Sequence, residues 1–160
     1  MQWMILPFKR YFDFQGRSRR LEFWMFFLLN IIVGLVLATP FYVEVFGAAM
    51  AADPGVPGSD AVAMEAALAD GGGVSMIMIG LYGLYALAAI IPSIAVTIRR
   101  LHDRNMSGWW YLGFMVLGLI PLVGLLVSIA FLVILALPGT PGPNKYGPSP
   151  KGEQVAEAFE

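Results

Sequence analysis

The sequence predicts an all-α, polytopic integral membrane protein, and three observations carry that reading. Apolar residues make up 58% of the chain and charged residues 13%, against about 45–50% and about 25% in an ordinary soluble domain. The apolar excess is gathered into three long segments, residues 23–46, 74–98 and 109–137, which a soluble core of this size has no room to bury. Lysine and arginine are confined to the stretches between and around them, the asymmetry that orients membrane helices.

In chain order, residues 1–12 read as a short amphipathic helix in the headgroup layer, because Met4, Phe8 and Phe12 recur at i, i+4 and i+8. Gly16 then offers a turn, and Ser18 an N-cap for the helix that follows. The first span, residues 23–46, has 24 residues, about 36 Å of helix against a hydrocarbon core of about 30 Å. Its 15 Leu, Ile, Phe and Val residues favour insertion by about 5–9 kcal/mol as an upper figure. Asn30 lies deep enough to need a facing helix. Ala49-Met50-Ala51 imitates a leader cleavage site, but the run before it far exceeds the ~7–15 residues of a signal h-region; an uncleaved span is expected.

Residues 47–73 change character. They are rich in Ala, Gly and Pro and contain Asp53, Asp60, Glu65 and Asp70 but no lysine or arginine; Ala61 to Ala69 could form a short helix, but no apolar face demands one, so they read as a flexible external loop. The second span, residues 74–98, contains Pro92, expected to kink it, and the small residues Ala89, Ser93 and Thr97 at helical spacing. The third apolar segment, residues 109–137, is long for one crossing and short for two. Pro121 and Gly124 break it, leaving one tilted helix or two helices and four crossings in all. After it comes a Pro/Gly-rich stretch that forbids regular structure. Residues 1–150 therefore form a single transmembrane domain, and 151–160 a disordered acidic tail.

Five of the ten Lys and Arg precede the first span, none lies between the first and second, three lie at Arg99, Arg100 and Arg104, and two lie in the tail. Positive charge stays in the cytoplasm, so the N-terminus and the segment around Arg99 are expected inside and residues 47–73 outside.

Three motifs flank the apolar runs: Phe12-x-Phe14-x-Gly16-Arg17-x-x-Arg20-x-Glu22-Phe23-Trp24; Arg99-Arg100-Leu101-His102-Asp103 with Ser107-Gly108-Trp109-Trp110; and Gly139-Thr140-Pro141-Gly142-x-Asn144-x-Tyr146-Gly147-Pro148. Together, in this order, they resemble the YhaH-like bacterial inner-membrane proteins, domain-of-unknown-function family 805. The resemblance covers residues 8–150 and departs from the family in the length and Ala/Gly content of 47–73. It implies a small integral protein of the bacterial inner membrane with no established activity, and it transfers no functional residues.

The candidate site is a cytoplasmic-face cluster of Arg17, Arg20, Glu22, Trp24, Arg99, Arg100, His102, Asp103, Trp109 and Trp110. Glu22 is expected to pair with Arg99 or Arg100, and Asp103 with Arg17 or Arg20, because a partly desolvated charge is costly alone. The competing picture has the arginines binding lipid phosphates and the tryptophans forming an interfacial belt. One histidine and no cysteine do not make an ordinary zinc site, and nucleotide-binding and nucleophile-elbow motifs are absent. The chain therefore reads as a non-enzyme without cofactor or metal. A net charge of −1 argues against nucleic acid. The expected partners are membrane lipids, with a second copy or another membrane protein as further candidates. Two functional classes follow: a lipid- or protein-interacting membrane module, or a small transporter or channel component acting as an oligomer.

Overall fold

In the computed structural model, residues 2–70 and 72–150 are described; the acidic end expected to be disordered, 151–160, lies outside them. Among the described residues six helices follow one another: α1 (Gln2–Lys9), α2 (Arg20–Ala51), α3 (Ser59–Asp70), α4 (Gly72–Asp103), α5 (Trp109–Gly118) and α6 (Val123–Ala136). Among the described residues there is no β-strand, only an isolated bridge between Asn144 and Gly147. Helices α2 and α4 have 32 residues each, about 48 Å, and both are long and apolar enough to cross a membrane.

Both long helices extend beyond the apolar runs. The stretch expected to be irregular, 47–73, is mostly helical: α2 continues to Ala51 and α3 fills Ser59–Asp70. Alanine is the best helix former, and Asp60 in the first turn of α3 suits the positive end of the helix dipole. Propensity rather than an apolar face makes this helix, so a search for amphipathic periodicity passes over it.

The chain divides into two compact units. In the unit Leu28–Ala89, α2 and α4 run antiparallel: the Tyr85 hydroxyl donates to Asn30 Oδ1 at 3.2 Å, the Tyr82 ring packs on Gly34, and the Ser75 hydroxyl donates to Glu44. Asn30 thus meets a facing helix.

The other unit comprises the residues up to Phe27 and from Ile90 onward. In it, Phe8 of α1 packs edge-on against Phe26 at 5.3 Å. The helix stops at Lys9, so Phe12 leaves the expected stripe and is exposed. Ser18 does not cap α2 as expected: its backbone N–H donates to the carbonyl of Arg99 at 3.2 Å, and the helix begins two residues later, at Arg20.

The third apolar segment is broken near Pro121 into a hairpin of α5 and α6, with 10 and 14 residues. They rise about 15 and about 21 Å, each short of the ~30 Å hydrocarbon core. Four amides of the turn between them bond within it. Leu119, Ile120 and Gly124 donate to the carbonyls of Val116, Leu117 and Ile120, Pro121 has no N–H, and Val123 N–H donates to Pro121 at 2.8 Å. That last bond closes a γ-turn centred on Leu122, at φ 65° and ψ −48°, a strained conformation for a branched side chain. At Gly124 an added Cβ would lie 2.3 Å from the carbonyl oxygen of Gly118, so glycine lets the helices meet there.

These two positions predict opposite effects. Gly124→Ala forces backbone apart and is expected to lower unfolding stability in detergent by about 1–3 kcal/mol. Leu122→Gly relieves the turn and is expected to raise it by about 1 kcal/mol. Denaturant titration followed by tryptophan fluorescence reads both.

Candidate functional site

The C-terminal turn of α4 places Arg99, Arg100 and Asp103 at the meeting point of three segments. Neighbouring residues on a helix point about 100° apart, so the two arginines serve different partners. Arg99 reaches the start of α2, where its Nη2 donates to Glu22 Oε1 at 3.0 Å. Arg100 reaches the end of α6: Nε donates to the carbonyl of Leu135 at 2.8 Å, and Nη2 donates to that of Leu137. Both arginines are fully buried.

Asp103 is shared. Its Oδ1 accepts from Arg17 Nε and faces Arg17 Nη2, each at 2.9 Å, while Oδ2 accepts from Arg100 Nη1. Arg17 also donates through Nη1 to the carbonyl of Gly142 and through Nη2 to that of Thr140, both at 2.6 Å. Arg17, Glu22 and Asp103 are buried too. The site therefore holds three guanidinium groups and two carboxylates, with Asp13 at its edge, 3.8 Å from Arg99 Nη1. Burial pulls Arg99 and Arg100 below the ordinary arginine value, opposed by Glu22 at Arg99 and by Asp103 at Arg100; arginine starts high enough that both stay charged at neutral pH. At Asp13, burial pushes upward, and hydrogen bonds from Arg10 and the Gln15 amide outweigh it, so its pKa is lowered.

The backbone ends are closed by the same residues. Asn105, at φ 60°, ends α4 in a left-handed C-cap in which Met106 N–H donates to Leu101 and Asn105 N–H to His102. Two carbonyls at this end are capped from the Pro/Gly-rich stretch. Thr140 donates to the Asp103 carbonyl through N–H at 2.8 Å and through its hydroxyl at 3.2 Å, and Asn144 Nδ2 donates to that of His102 at 2.9 Å. Gly139 permits this approach, since an added Cβ would lie 2.0 Å from Asp103 Oδ2.

His102 stacks on Tyr146, with centroids 3.8 Å apart and planes 6° from parallel. Its Nδ1 is 3.2 Å from the carbonyl of Gly16. A carbonyl only accepts, so Nδ1 carries the proton in the neutral ring and Nε2 is left as an acceptor. Burial lowers the His102 pKa from the ordinary 6.5, the Gly16 contact opposes this, and the charge on Lys145 adds to the lowering.

Of the sequence-derived candidates, the structure brings Arg17, Arg100 and Asp103 into one ion cluster and Arg99 and Glu22 into a second, both rooted on the last turn of α4, with His102 on the same turn. Arg20 is exposed, with one long contact to the Ala136 carbonyl at 3.5 Å. Trp24 packs on Phe23 and Phe27. Trp109 and Trp110, 79% and 53% exposed, stand outside both clusters. Thr140, Asn144 and Tyr146 were visible only as members of the third motif, and Asp13 only within a gap of the first. The carbonyls of Leu135 and Leu137 leave no trace in a sequence. Asp103 has both oxygens engaged by guanidinium groups. Among the described residues no group of three or more His, Cys, Asp or Glu is placed to hold a metal ion.

The profile of the family described as "Protein of unknown function (DUF805)" matches residues 11–148. The chain is 35% identical over 153 residues to Inner membrane protein YhaH of Escherichia coli strain K12, covering 96% of this chain and 99% of that one. It is 35% identical over 156 residues to Inner membrane protein YhaI of the same strain, covering 94% and 97%. No solved structure matches.

Removing one partner of a buried pair strands the other charge, at about 3–5 kcal/mol. Asp103→Asn and Glu22→Gln are each expected to destabilise on that scale. The double variant Glu22→Arg with Arg99→Glu is expected to recover part of the loss of either reversal alone, read as a coupling energy in a denaturation cycle. His102 adds a pH dependence. A folded-state pKa below 6.5 means that the unfolded chain binds the proton more tightly, so its contribution is whole above about pH 6.5 and is lost as pH falls from there through the lower folded-state pKa. Unfolding curves between pH 7.5 and 5.5 are expected to show this loss in the wild type and not in His102→Phe.

Proposed function

The chain belongs to the DUF805 family, and from that premise we propose that it is a multi-pass inner-membrane module that engages lipid at its cytoplasmic face and carries out no reaction there. One observation supports this above the rest: Arg17, Arg99 and Arg100 are buried and turned inward onto carboxylates and carbonyls. They act as a clasp rather than as phosphate receptors. Lipid phosphates are then met by the rim cations Lys9, Arg20 and Lys145, which are exposed, with Trp109 and Trp110 in the headgroup layer. The polar groups of α2 and α4 are bonded to one another at Asn30–Tyr85 and Glu44–Ser75, which favours a module over a solute path.

The topology that goes with this reading has α2 and α4 as the two crossings and α5–α6 as a re-entrant hairpin. The hairpin's own lengths argue for this, as does the meeting of its end with the end of α4 through Arg100. The N-terminal segment, the Arg104 turn and the Pro/Gly-rich stretch then all lie in the cytoplasm, and residues 52–70 outside.

The native chain has no cysteine, so single replacements report sidedness cleanly. In intact spheroplasts, an impermeant maleimide is expected to label Val56→Cys and to spare Gln15→Cys and Lys145→Cys until the membrane is opened. Labelling of Lys145→Cys from outside would refute the re-entrant topology, and reproducible solute flux through proteoliposomes would refute the module.

A further inference from the structure

We propose that the cavity between the end of α4, the start of α5 and Tyr146 is a binding site for the ammonium headgroup of an aminophospholipid such as phosphatidylethanolamine. The proposal rests on the membrane-module reading above and names the lipid that it engages.

The cavity holds about 450 Å³, and four of its lining residues carry aromatic rings: His102, Trp109, Tyr111 and Tyr146. None of its lining residues is Lys, Arg, Asp or Glu. An anion would find no guanidinium or ammonium group in the wall. A cation finds the rings of Trp109 and Tyr111, whose quadrupoles attract it. The Tyr146 ring already draws one: Lys145 Nζ lies 5.0 Å from its centroid. Because His102 covers one face of that ring, Lys145 takes the other, where the lipid's phosphodiester would meet it.

The cavity also offers a lone pair suited to an N–H donor. The Gly16 carbonyl fixes the proton of neutral His102 on Nδ1, so Nε2 accepts. That atom faces the Gly108 wall, since a Cβ built on Gly108 would lie 3.4 Å from it. Ser107 adds a hydroxyl. A primary ammonium satisfies both features, because it donates to Nε2 while its charge sits against the rings. A quaternary choline group has no N–H to donate. Ile98 and Leu112 supply apolar wall, and the apolar outer face of α5, with Met115 and Val116 exposed, continues it along the path of an acyl chain. This commits the occupant to a lipid rather than to a free amine.

The test uses the full chain in non-ionic detergent, stripped of lipid and offered equimolar phosphatidylethanolamine, phosphatidylglycerol and phosphatidylcholine, with native mass spectrometry counting what stays bound. One phosphatidylethanolamine per chain is expected, retained about tenfold over either competitor. Ser107→Trp, which fills the cavity, and Trp109→Leu, which removes an exposed ring without touching the clasp, are each expected to reduce that preference to twofold or less. Equal retention of phosphatidylglycerol, equal retention of phosphatidylcholine, or an unchanged preference in both variants overturns the site. Maleimide labelling of Val56→Cys and Lys145→Cys reads the membrane topology independently, so a failed pocket and a failed membrane reading give different results.

Discussion

A single carboxylate, that of Asp103, is gripped at one oxygen by Arg17 and at the other by Arg100, and the rest of this end of the molecule follows from that. Each guanidinium has donors to spare, and those donors reach backbone carbonyls: Thr140 and Gly142 from Arg17, Leu135 and Leu137 from Arg100. The charges thus help to fix the positions of the end of α6 and of the Pro/Gly-rich stretch after it. A buried ion pair adds little net stability over an apolar replacement, but it is intolerant of rearrangement because every alternative strands a charge. At this end of the protein it acts as a register device.

The termini of helices are where that device has most effect. The last carbonyls of any helix have no intrahelical partner, and in a membrane water is not freely available to supply one. Here α4 is closed by its own left-handed turn at Asn105 and by Thr140 and Asn144, and α6 is closed by Arg100. At the opposite end of the hairpin, the amides of Leu119, Ile120, Val123 and Gly124 bond within the turn, with Leu122 in a strained backbone conformation.

The clasp also leaves the tryptophans free. With the arginines turned inward, the surface around the start of α5 is aromatic, largely uncharged and open, and His102 is held in the tautomer that presents an acceptor to it. Structure and interaction are thereby separated: one set of charged residues holds the helices, and a neighbouring set of aromatic and neutral polar residues is available to the surroundings.

The helical class, the membrane location, the family and the break near Pro121 could all be read from the sequence, because hydropathy and helix breaking are local and additive: each residue contributes wherever its neighbours end up. The same holds for the grouping of charge into three motifs. The sequence left Asp103 free to pair with Arg17 or Arg20, and Glu22 with Arg99 or Arg100; these alternatives are chemically equivalent along the chain, and only the facing of α4 against its neighbours separates them. It also gave no sign that Arg100 would cap α6, since the acceptors are backbone carbonyls that every residue carries. It allowed a helix over Ala61 to Ala69 without requiring α3, because alanine-driven helices leave no apolar stripe. Tertiary structure decided these points for one reason: desolvation makes the energy of a charge depend on what lies within a few ångströms of it in space, a distance that sequence separation does not measure.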